Sequence, residues 1–418
     1  MATNVDEPTK KTKILQALED QNTSLSFDDP LENDLVLNMG PQHPATHGVL
    51  RLLLRLDGER VIGCVPEIGY LHRGYEKLAE SCTYHEFIPH TDRLDYLSPL
   101  SNNTAYALAV EKLLGIEAPP RAQYIRLIIS ELARISSHLM FWGSLGMDVG
   151  ALTVWMWTFR ERERLYDIFE ILAGARFTTS FTRIGGLAHD MSPEVESRIR
   201  EFIDALPKAL DDCERLLNKN RIFVDRCDGV GRLSREDAIS LGVTGPVLRA
   251  CGVDHDLRKT NPYLVYDQLE FETAVYEGSD VLTRYYVRVK EIKESIKLVR
   301  QALDKMPKGE VHAAKPKNVL PRKERVYTKM EELIHDFMVV NFGGDPPVGE
   351  IYSAVEAPKG ELGFYLNSNG DGHPWRLKIR SPSFVNIGAL PNMVIGSMVS
   401  DVVAIIGGLD PVMGEADK

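Results

Sequence analysis

The clearest alternation in the chain lies at residues 48–62, "GVLRLLLRLDGERVI", where Leu50, Leu52, Leu54 and Leu56 occupy every second position with Arg51 and Arg55 between them. A period of two places the leucines on one face of a strand, and the Asp57-Gly58 pair turns the chain back, so the pattern predicts an antiparallel hairpin. The tail repeats this style. "EIYSAVEA", "ELGFYLNS" and "WRLKIR" are predicted strands interrupted by the turn-rich "NGDGHP". In the last of them Trp375, Leu377 and Ile379 alternate with Arg376, Lys378 and Arg380.

Between the two ends the apolar spacing becomes helical. Residues 121–141 carry Ile125, Ile128, Ile129, Leu132, Ile135 and Leu139 on one stripe, with Pro119 and Pro120 marking the start. Ser192-Pro193 opens a second helix bearing Val195, Ile199, Phe202, Ile203, Leu206, Leu210 and Leu217. A kink is predicted at Pro207, because proline removes an intrahelical hydrogen bond. A third helix spans about 280–304 through Leu282, Tyr286, Val289, Ile292, Ile296, Val299 and Leu303. Thr328 and Glu331 have capping-box spacing before "LIHDFMVV". With no internal repeat and no low-complexity linker, the predicted class is α+β: a central helix bundle with small antiparallel sheets from the N- and C-terminal parts.

Residues 139–159, "LMFWGSLGMDVGALTVWMWTF", are long enough to span a bilayer. Asp148 sits in the middle, Gly143, Gly146 and Gly150 surround it, and "RERER" follows at 160–164. An ionised group at a bilayer centre costs about 2.5–3.5 kcal/mol, so burial within protein is the better reading. Residues 1–33 form a polar stretch without the apolar centre of a secretory signal, read as an extension to one domain over 34–418 that stays in the cytoplasm.

Composition narrows the classes. A chain of 418 residues, 44% hydrophobic, can bury a large core, and its net charge of −11 argues against nucleic-acid binding while favouring a partner with a basic face. Cys64, Cys82, Cys213, Cys227 and Cys251 include no C-x-x-C pair, so no zinc ribbon or iron–sulfur loop is written, and the thiols are expected to be reduced and buried. "GVGRLSRE" at 229–236 lacks both the dinucleotide fingerprint and a Walker lysine, and neither H-E-x-x-H nor G-x-S-x-G occurs. "KKTK" and "RERER" read as solvated or partner-contacting charge runs.

Three places could carry chemistry. "NMGPQHPATHGVLRL" sets His43 and His47 four residues apart, but Pro41, Pro44 and Gly48 oppose the helix that a metal-binding pair needs. A loop imidazole could instead donate to a ligand oxygen, or simply serve the turn. "HTDRLDYLSPLSNN", 90–103, reads as a non-helical patch with Asp92, Arg93, Asp95 and Tyr96, the phenol being either a donor or an ordinary half-buried aromatic. Asp148 is either a helix-end cap or a buried acid.

Longer stretches are more specific. "GPQHPATHGVLRL", "PEIGYLHRGYEK", "DRLDYL", "RIGGL", "TGPVLRACGVDHDLRKTNPY", "EAPKGELGFYL", "KIRSPSFVN" and "DVVAIIGGLDPVMGEADK" together resemble the D subunit of respiratory complex I, the proton-pumping NADH:quinone oxidoreductase, from about residue 34 to 418. The family is similar in fold to nickel–iron hydrogenase large subunits. At the four hydrogenase cysteine positions this chain has Asp95, Ser98, Val412 and Glu415. These cannot replace four thiolates around nickel, so no metal is expected and the old metal pocket should be an empty cleft.

The resemblance implies that this cleft receives a quinone headgroup, with His47 and Tyr96 as its two hydrogen-bonding ligands and Asp148 stabilising or reprotonating the imidazole. Arg73 matches an arginine near the iron–sulfur cluster of the complex's B subunit. The implied substrate is menaquinone or ubiquinone, with iron–sulfur clusters and FMN only in partner subunits. Implied partners are subunits B, C and I, and membrane subunits H and A at the quinone entrance, on the cytoplasmic side of the bacterial inner membrane and in peripheral contact with it. Thr178 stands where many relatives carry a histidine at the cluster, so cluster-linked proton uptake is in doubt and a menaquinone substrate would be compatible. The roles of Glu67, Glu76 and His189 are left open.

Overall fold

The leucine alternation builds the first sheet. In the computed structural model, which describes residues 34–313 and 318–418, β1 (Asp34–Met39), β2 (Arg51–Asp57) and β3 (Arg60–Glu67) form an antiparallel sheet in the order β1-β2-β3. Leu52, Leu54 and Leu56 are buried as predicted, while Arg51 and Arg55 stay half-buried on the other face. β1 escaped the sequence pattern because Leu35, Val36 and Leu37 are consecutive apolar residues, and all three are exposed. The hairpin has an irregularity between Arg55 and Leu56. The polar stretch 1–33, with its "KKTK", lies outside the described residues.

A two-residue pair, β4 (Thr182–Arg183) and β5 (Gly186–Leu187), precedes a second antiparallel sheet of β6 (Gly349–Ala357), β7 (Gly360–Ser368) and β8 (Arg376–Arg380). The strands predicted in the tail are all present. Trp375 is the exception on its face: it precedes β8 and is exposed, so only Leu377 and Ile379 reach the core.

The bundle comprises α1 (Pro99–Leu114), α2 (Pro120–Asp148), α3 (Leu152–Ala173), α4 (Pro193–Leu217), α5 (Val281–Lys305), α6 (Met330–Phe342), α7 (Val399–Leu409) and α8 (Met413–Asp417), with shorter helical turns between them. α2 is central, packed by α1, α3, α5 and α7. It begins at the predicted prolines but continues past residue 141 and is buried on nearly every side, including Arg126, Glu131, Arg134 and His138. α1 and α3 lie outside the predicted helices; buried Asn102, Asn103 and Thr104 in α1 blur any apolar stripe. α4 is capped by Ser192, whose Oγ accepts from Val195 N at 3.3 Å, and it runs on through Pro207.

The apolar run 139–159 is two elements, not one. α2 ends at Asp148, the chain turns through Gly150 at φ 92°, and α3 returns against α2. Gly143 permits this approach: a Cβ there would lie 2.6 Å from Thr158 Oγ1. Among the described residues no helix is long and apolar enough to cross a membrane.

Three local expectations are corrected. The Thr328 capping box does not form: Lys329 is the N-cap of α6, and Thr328 Oγ1 donates back to Glu324 O at 2.9 Å, closing the preceding turn. "RERER" is solvated only in part: Arg160, Glu163 and Arg164 are exposed, while helical spacing turns Glu161 and Arg162 inward, where Glu161 pairs with Arg160 and Arg164 and Arg162 lies over the rings of Phe159 and Tyr166. Cys82 is only half-buried, unlike the other four thiols; all five are free.

Candidate functional site

The His47 loop is fixed by backbone constraints. Gly40, at φ 94°, lies where a Cβ would come 2.1 Å from Leu50 O, so the loop closes on the start of β2 only with glycine. Pro44–Thr46 then makes one 3₁₀ turn, in which Thr46 N and Oγ1 both donate to His43 O at 3.1 and 2.8 Å. This delivers His47 at φ 48°, a left-handed conformation that costs a non-glycine residue about 1–2 kcal/mol. His43 itself is exposed and serves the turn through its backbone. The two histidines do not share a helix face, and among the described residues no group of three His, Cys, Asp or Glu side chains is arranged to hold a metal ion.

His47 Nε2 lies 3.5 Å from Asp148 Oδ2, with the two side chains 14% and 8% exposed. Asp148 is the last residue of α2, and Gly407 of α7 packs on it: a Cβ there would sit 3.1 Å from Oδ2. Both Nε2 and Oδ2 are buried without a hydrogen-bond partner. The pair is close enough to attract and too long to be closed, so each atom keeps hydrogen-bonding capacity for a third group. Asp148 is the last residue of α2 and not its cap, which is Val149.

Tyr96 belongs to the loop 92–98. The non-helical patch is narrower than predicted: His90 and Thr91 end a short helix, Ile88–Thr91, and Pro99 begins α1. The Tyr96 ring is half-buried and stacks 6.2 Å from Phe177. Gly414 of α8 backs the ring, since a Cβ there would meet Tyr96 Cδ1 at 3.3 Å and the carbonyls of Arg93 and Leu94 at 2.8 Å. Burial, then the charges of Asp95 and Asp410, push the Tyr96 phenol up, so it is a protonated donor at neutral pH. Neighbouring Asp92 is buried and accepts from Ser180 N at 3.1 Å and Ser180 Oγ at 2.6 Å.

The positions aligned with hydrogenase cysteines do not line an empty cleft. Asp95, Ser98, Val412 and Glu415 are all buried and hydrogen-bonded into a packed layer. Ser98 Oγ donates to Asp95 Oδ2 at 2.6 Å, Ser383 Oγ to Glu415 Oε2 at 2.5 Å, and Val412 N to Ser383 Oγ at 3.3 Å. Carboxylates and hydroxyls here reach one another. Lys359 pairs with Asp410, the left-handed C-cap of α7. Sequence reasoning gave no role to Lys359, Asp410 or Ser383; "EAPKGE", "LDPVMGE" and "RSPSF" hold them far apart in the chain, and only burial reveals them as a set.

His47 and Asp148 are thus brought into contact, while Tyr96 stands against α8. α7 relates the two, touching Asp148 through Gly407 and acting on Tyr96 through Asp410. Arg73 lies elsewhere: exposed, its N donates to Lys418 O at 3.3 Å and its guanidinium to Tyr75 OH at 3.4 Å, at the rim of a cavity of about 560 Å³ lined by His72, Glu76, Lys378, Phe384 and Lys418. Thr178 is half-buried beside Phe177. Of the residues left open, Glu67 accepts from Arg51 at 2.8 Å, Glu76 from Lys378 at 3.1 Å, and His189 pairs with Leu172 O at 2.5 Å.

Comparison with known proteins agrees with the resemblance read from the motifs. A family model described as "Respiratory-chain NADH dehydrogenase, 49 Kd subunit" matches residues 148–418. The first of the NADH-quinone oxidoreductase D subunits of Chloroherpeton thalassium is 58% identical over 98% of this chain and 93% of its own length. The NADH-quinone oxidoreductase D subunits of Salinibacter ruber and Methylacidiphilum infernorum are 55% and 56% identical, over 95% and 92% of this chain and 88% and 92% of their own lengths. On this similarity, spread across nearly the whole sequence, the chain belongs to the 49 kDa, or D-subunit, family of the respiratory NADH-quinone oxidoreductase.

Proposed function

We propose that this subunit holds a quinone headgroup between His47 and Tyr96 for two-electron reduction coupled to proton pumping. The observation that carries the reading is the unclosed His47–Asp148 pair: two buried polar atoms, 3.5 Å apart, each with an unused hydrogen-bonding position. An imidazole held in a strained loop and a phenol held protonated are donors for the two oxygens at opposite ends of a quinone ring. As electrons arrive, negative charge grows on those oxygens, and fixed donors in a water-poor site stabilise it. The Asp148 carboxylate orients the imidazole and stabilises its protonated form.

In this reading the fold is that of a hydrogenase large subunit whose metal layer has been rebuilt from carboxylates and hydroxyls. FMN and iron–sulfur clusters reside in partner subunits, and Arg73 faces the cluster of the B subunit, where a cation favours the reduced state. Subunits B, C and I surround the chain, and membrane subunits H and A complete the quinone entrance, on the cytoplasmic side of the inner membrane. Proton loss from the His47 network is the local trigger passed to the membrane arm.

The test is His47→Ala and Tyr96→Phe in the assembled complex, with NADH:quinone and NADH:ferricyanide activities measured side by side. Each variant is expected to lose quinone reduction by about 100-fold, in the range for removing one positioned proton donor, and to keep the artificial-acceptor rate. A redox-silent scaffold on the same fold would leave both rates intact, and that result would overturn the reading.

A further inference from the structure

The last turn of α7 does not cap itself. A helix leaves its last four carbonyls without partners from within; here they belong to Ile406, Gly407, Gly408 and Leu409, all buried residues. Asp410, at φ 55°, donates its N–H to the first two, at 3.2 Å each. Pro411 follows and has no N–H, and Val412 N donates to Ser383 Oγ instead. Two of the four residues are glycines, the weakest helix formers after proline. The carbonyls of Gly408 and Leu409 are reached from another helix: Arg288 of α5 donates from Nη1 to Gly408 O at 3.0 Å and from Nη2 to Leu409 O at 3.3 Å.

Arg288 is itself buried. Its guanidinium lies 4.0 Å over the Phe141 ring of α2, and Nη1 also donates to Arg284 O of its own helix at 3.2 Å. Every hydrogen bond it makes among the described residues goes to a main-chain carbonyl. A guanidinium keeps its charge, so burying one costs free energy, and an apolar side chain of similar volume would pack as well or better. A cation does fit the C-terminal end of a helix, where the dipole is negative. What the capped turn holds is Asp148: a Cβ on Gly407 would lie 3.1 Å from Asp148 Oδ2 and 3.2 Å from Leu145 Cδ1. The other end of α7 is tied to the β2–β3 hairpin, with Val399 N donating to Glu59 O at 2.9 Å, and the Pro44–Thr46 turn before His47 packs against the helix.

We propose that Arg288 is a positioning residue for quinone reduction: by capping the last turn of α7 it keeps Gly407 against Asp148, and so keeps the carboxylate at its unclosed distance from His47. This rests on the reading of His47 as a ligand of the quinone headgroup. Arg288 touches neither the ligand nor His47; it acts through two peptide carbonyls and one carboxylate. Without its fork the Gly408 and Leu409 carbonyls are buried and unpartnered, and a turn rich in glycine relieves that cost by unwinding. Asp148 then loses the surface that fixes its side chain, and the imidazole loses its orientation.

The test uses Arg288→Lys in the assembled complex, a change that keeps the charge but replaces the planar fork by one ammonium. Hydrogen exchange of the amides over 406–413, read without quinone, should quicken by about tenfold or more as the turn opens. For quinone reduction kcat should fall about tenfold with KM within about twofold of wild type, because the loss is one of orientation in the transition state, while the NADH:ferricyanide rate holds. Added to Asp148→Asn, Arg288→Lys should cost less than about twofold more, since it acts through that carboxylate; added to Tyr96→Phe, the two losses should multiply. Phe141→Leu, which removes the ring beneath the guanidinium, should give the same pattern more weakly and serves if Arg288→Lys does not assemble. Unchanged exchange, a loss that multiplies in full with Asp148→Asn, or a wild-type kcat where His47→Ala is impaired overturns the proposal. Faster exchange together with full activity in both His47→Ala and Tyr96→Phe would instead mean that the quinone reading had failed while the cap stood.

Discussion

Two fully buried glutamates in this molecule behave in opposite ways. Glu131, in α2, accepts from Arg134 Nε at 3.2 Å, Arg258 Nη1 at 3.3 Å, Tyr266 OH at 2.6 Å and Ser295 Oγ at 2.6 Å. Burial pushes its carboxyl up, but Arg134 and Arg258 outweigh burial and hold it below the usual range. Glu415 has Ser383 as its donor, Asp95 as a like-charged neighbour and a smaller pull from Lys359, and it is pushed the other way. The residue type and the burial are the same. What differs is the number of donors and the sign of the nearest charge.

The contrast extends to the surroundings. Glu131 belongs to a network in which Arg249 bridges Glu291 and Glu356, both at 2.7 Å, and His138 reaches Glu291 at 2.8 Å. These pairs tie α2, α5 and β6 together. Near His47 and Tyr96 the polar groups are instead under-partnered: His47 Nε2, Asp148 Oδ2 and Glu415 Oε1 all lack partners. Ion pairs that reach across several elements hold a fold in one arrangement, whereas unpartnered polar atoms beside a strained loop are free to act on something else.

The sharpest way to break the comparison is Arg249→Ala. It removes the guanidinium that pairs with both Glu291 and Glu356, and removing one member of such a buried network costs about 3–5 kcal/mol. Denaturant unfolding, or the yield of assembled complex, should show a loss of that order, while Arg249→Lys should lose less because the charge remains. A loss below about 1 kcal/mol would mean that the network does not stabilise the fold.

Acid sensitivity is next. Burial lowers the imidazoles of His85 and His138 to about 4, from an ordinary value of 6.5. The unfolded chain therefore binds protons that the fold refuses, so this stability is present above about 6.5 and is lost as pH falls toward 4. At pH 5 each histidine contributes a loss on the order of 2 kcal/mol relative to pH 7. Melting temperature at pH 5 and 7 reads it, and replacing His85 by Gln should remove part of the difference.

Asp148→Asn sharpens the comparison at the site. It keeps the shape beside Gly407 but removes the charge that favours a protonated imidazole, so quinone reduction should fall about tenfold with little change in stability. The smallest effect belongs to Glu415→Gln at about pH 4, where a neutral amide replaces an acid that is largely protonated in both folded and unfolded chains and stability should stay within about 1 kcal/mol. The folded carboxyl value of about 8 lies above the unfolded one of 4.5, so the wild type loses this contribution progressively as pH rises from about 4.5 to about 8. At pH 9 the variant should therefore be the more stable of the two, by differential melting.

Much was legible in the chain itself. Alternating leucines fixed β2 and β3, alternating Leu377 and Ile379 fixed β8, and proline starts with helical apolar spacing fixed α2 and α4, because one-sided burial imposes a period that survives in sequence. Where burial is two-sided, as in α1, or where a strand is exposed on both faces, as in β1, the period vanishes and so did the prediction. The motifs singled out His47, Tyr96 and Asp148, and the loop around His47 could be read from its prolines and glycines.

Only the tertiary structure decided how those residues stand to one another. Asp148 and Gly407 are 259 positions apart by number, yet a Cβ on the glycine would nearly touch the carboxylate. Lys359 meets Asp410, and Ser383 meets Glu415, for the same reason: the chain ends fold back over α2 and α1. Periodicity records how much of a residue is buried, because burial is a property of one position. Partnership and charge balance are properties of pairs, and they appear only when packing brings distant positions within a few ångströms.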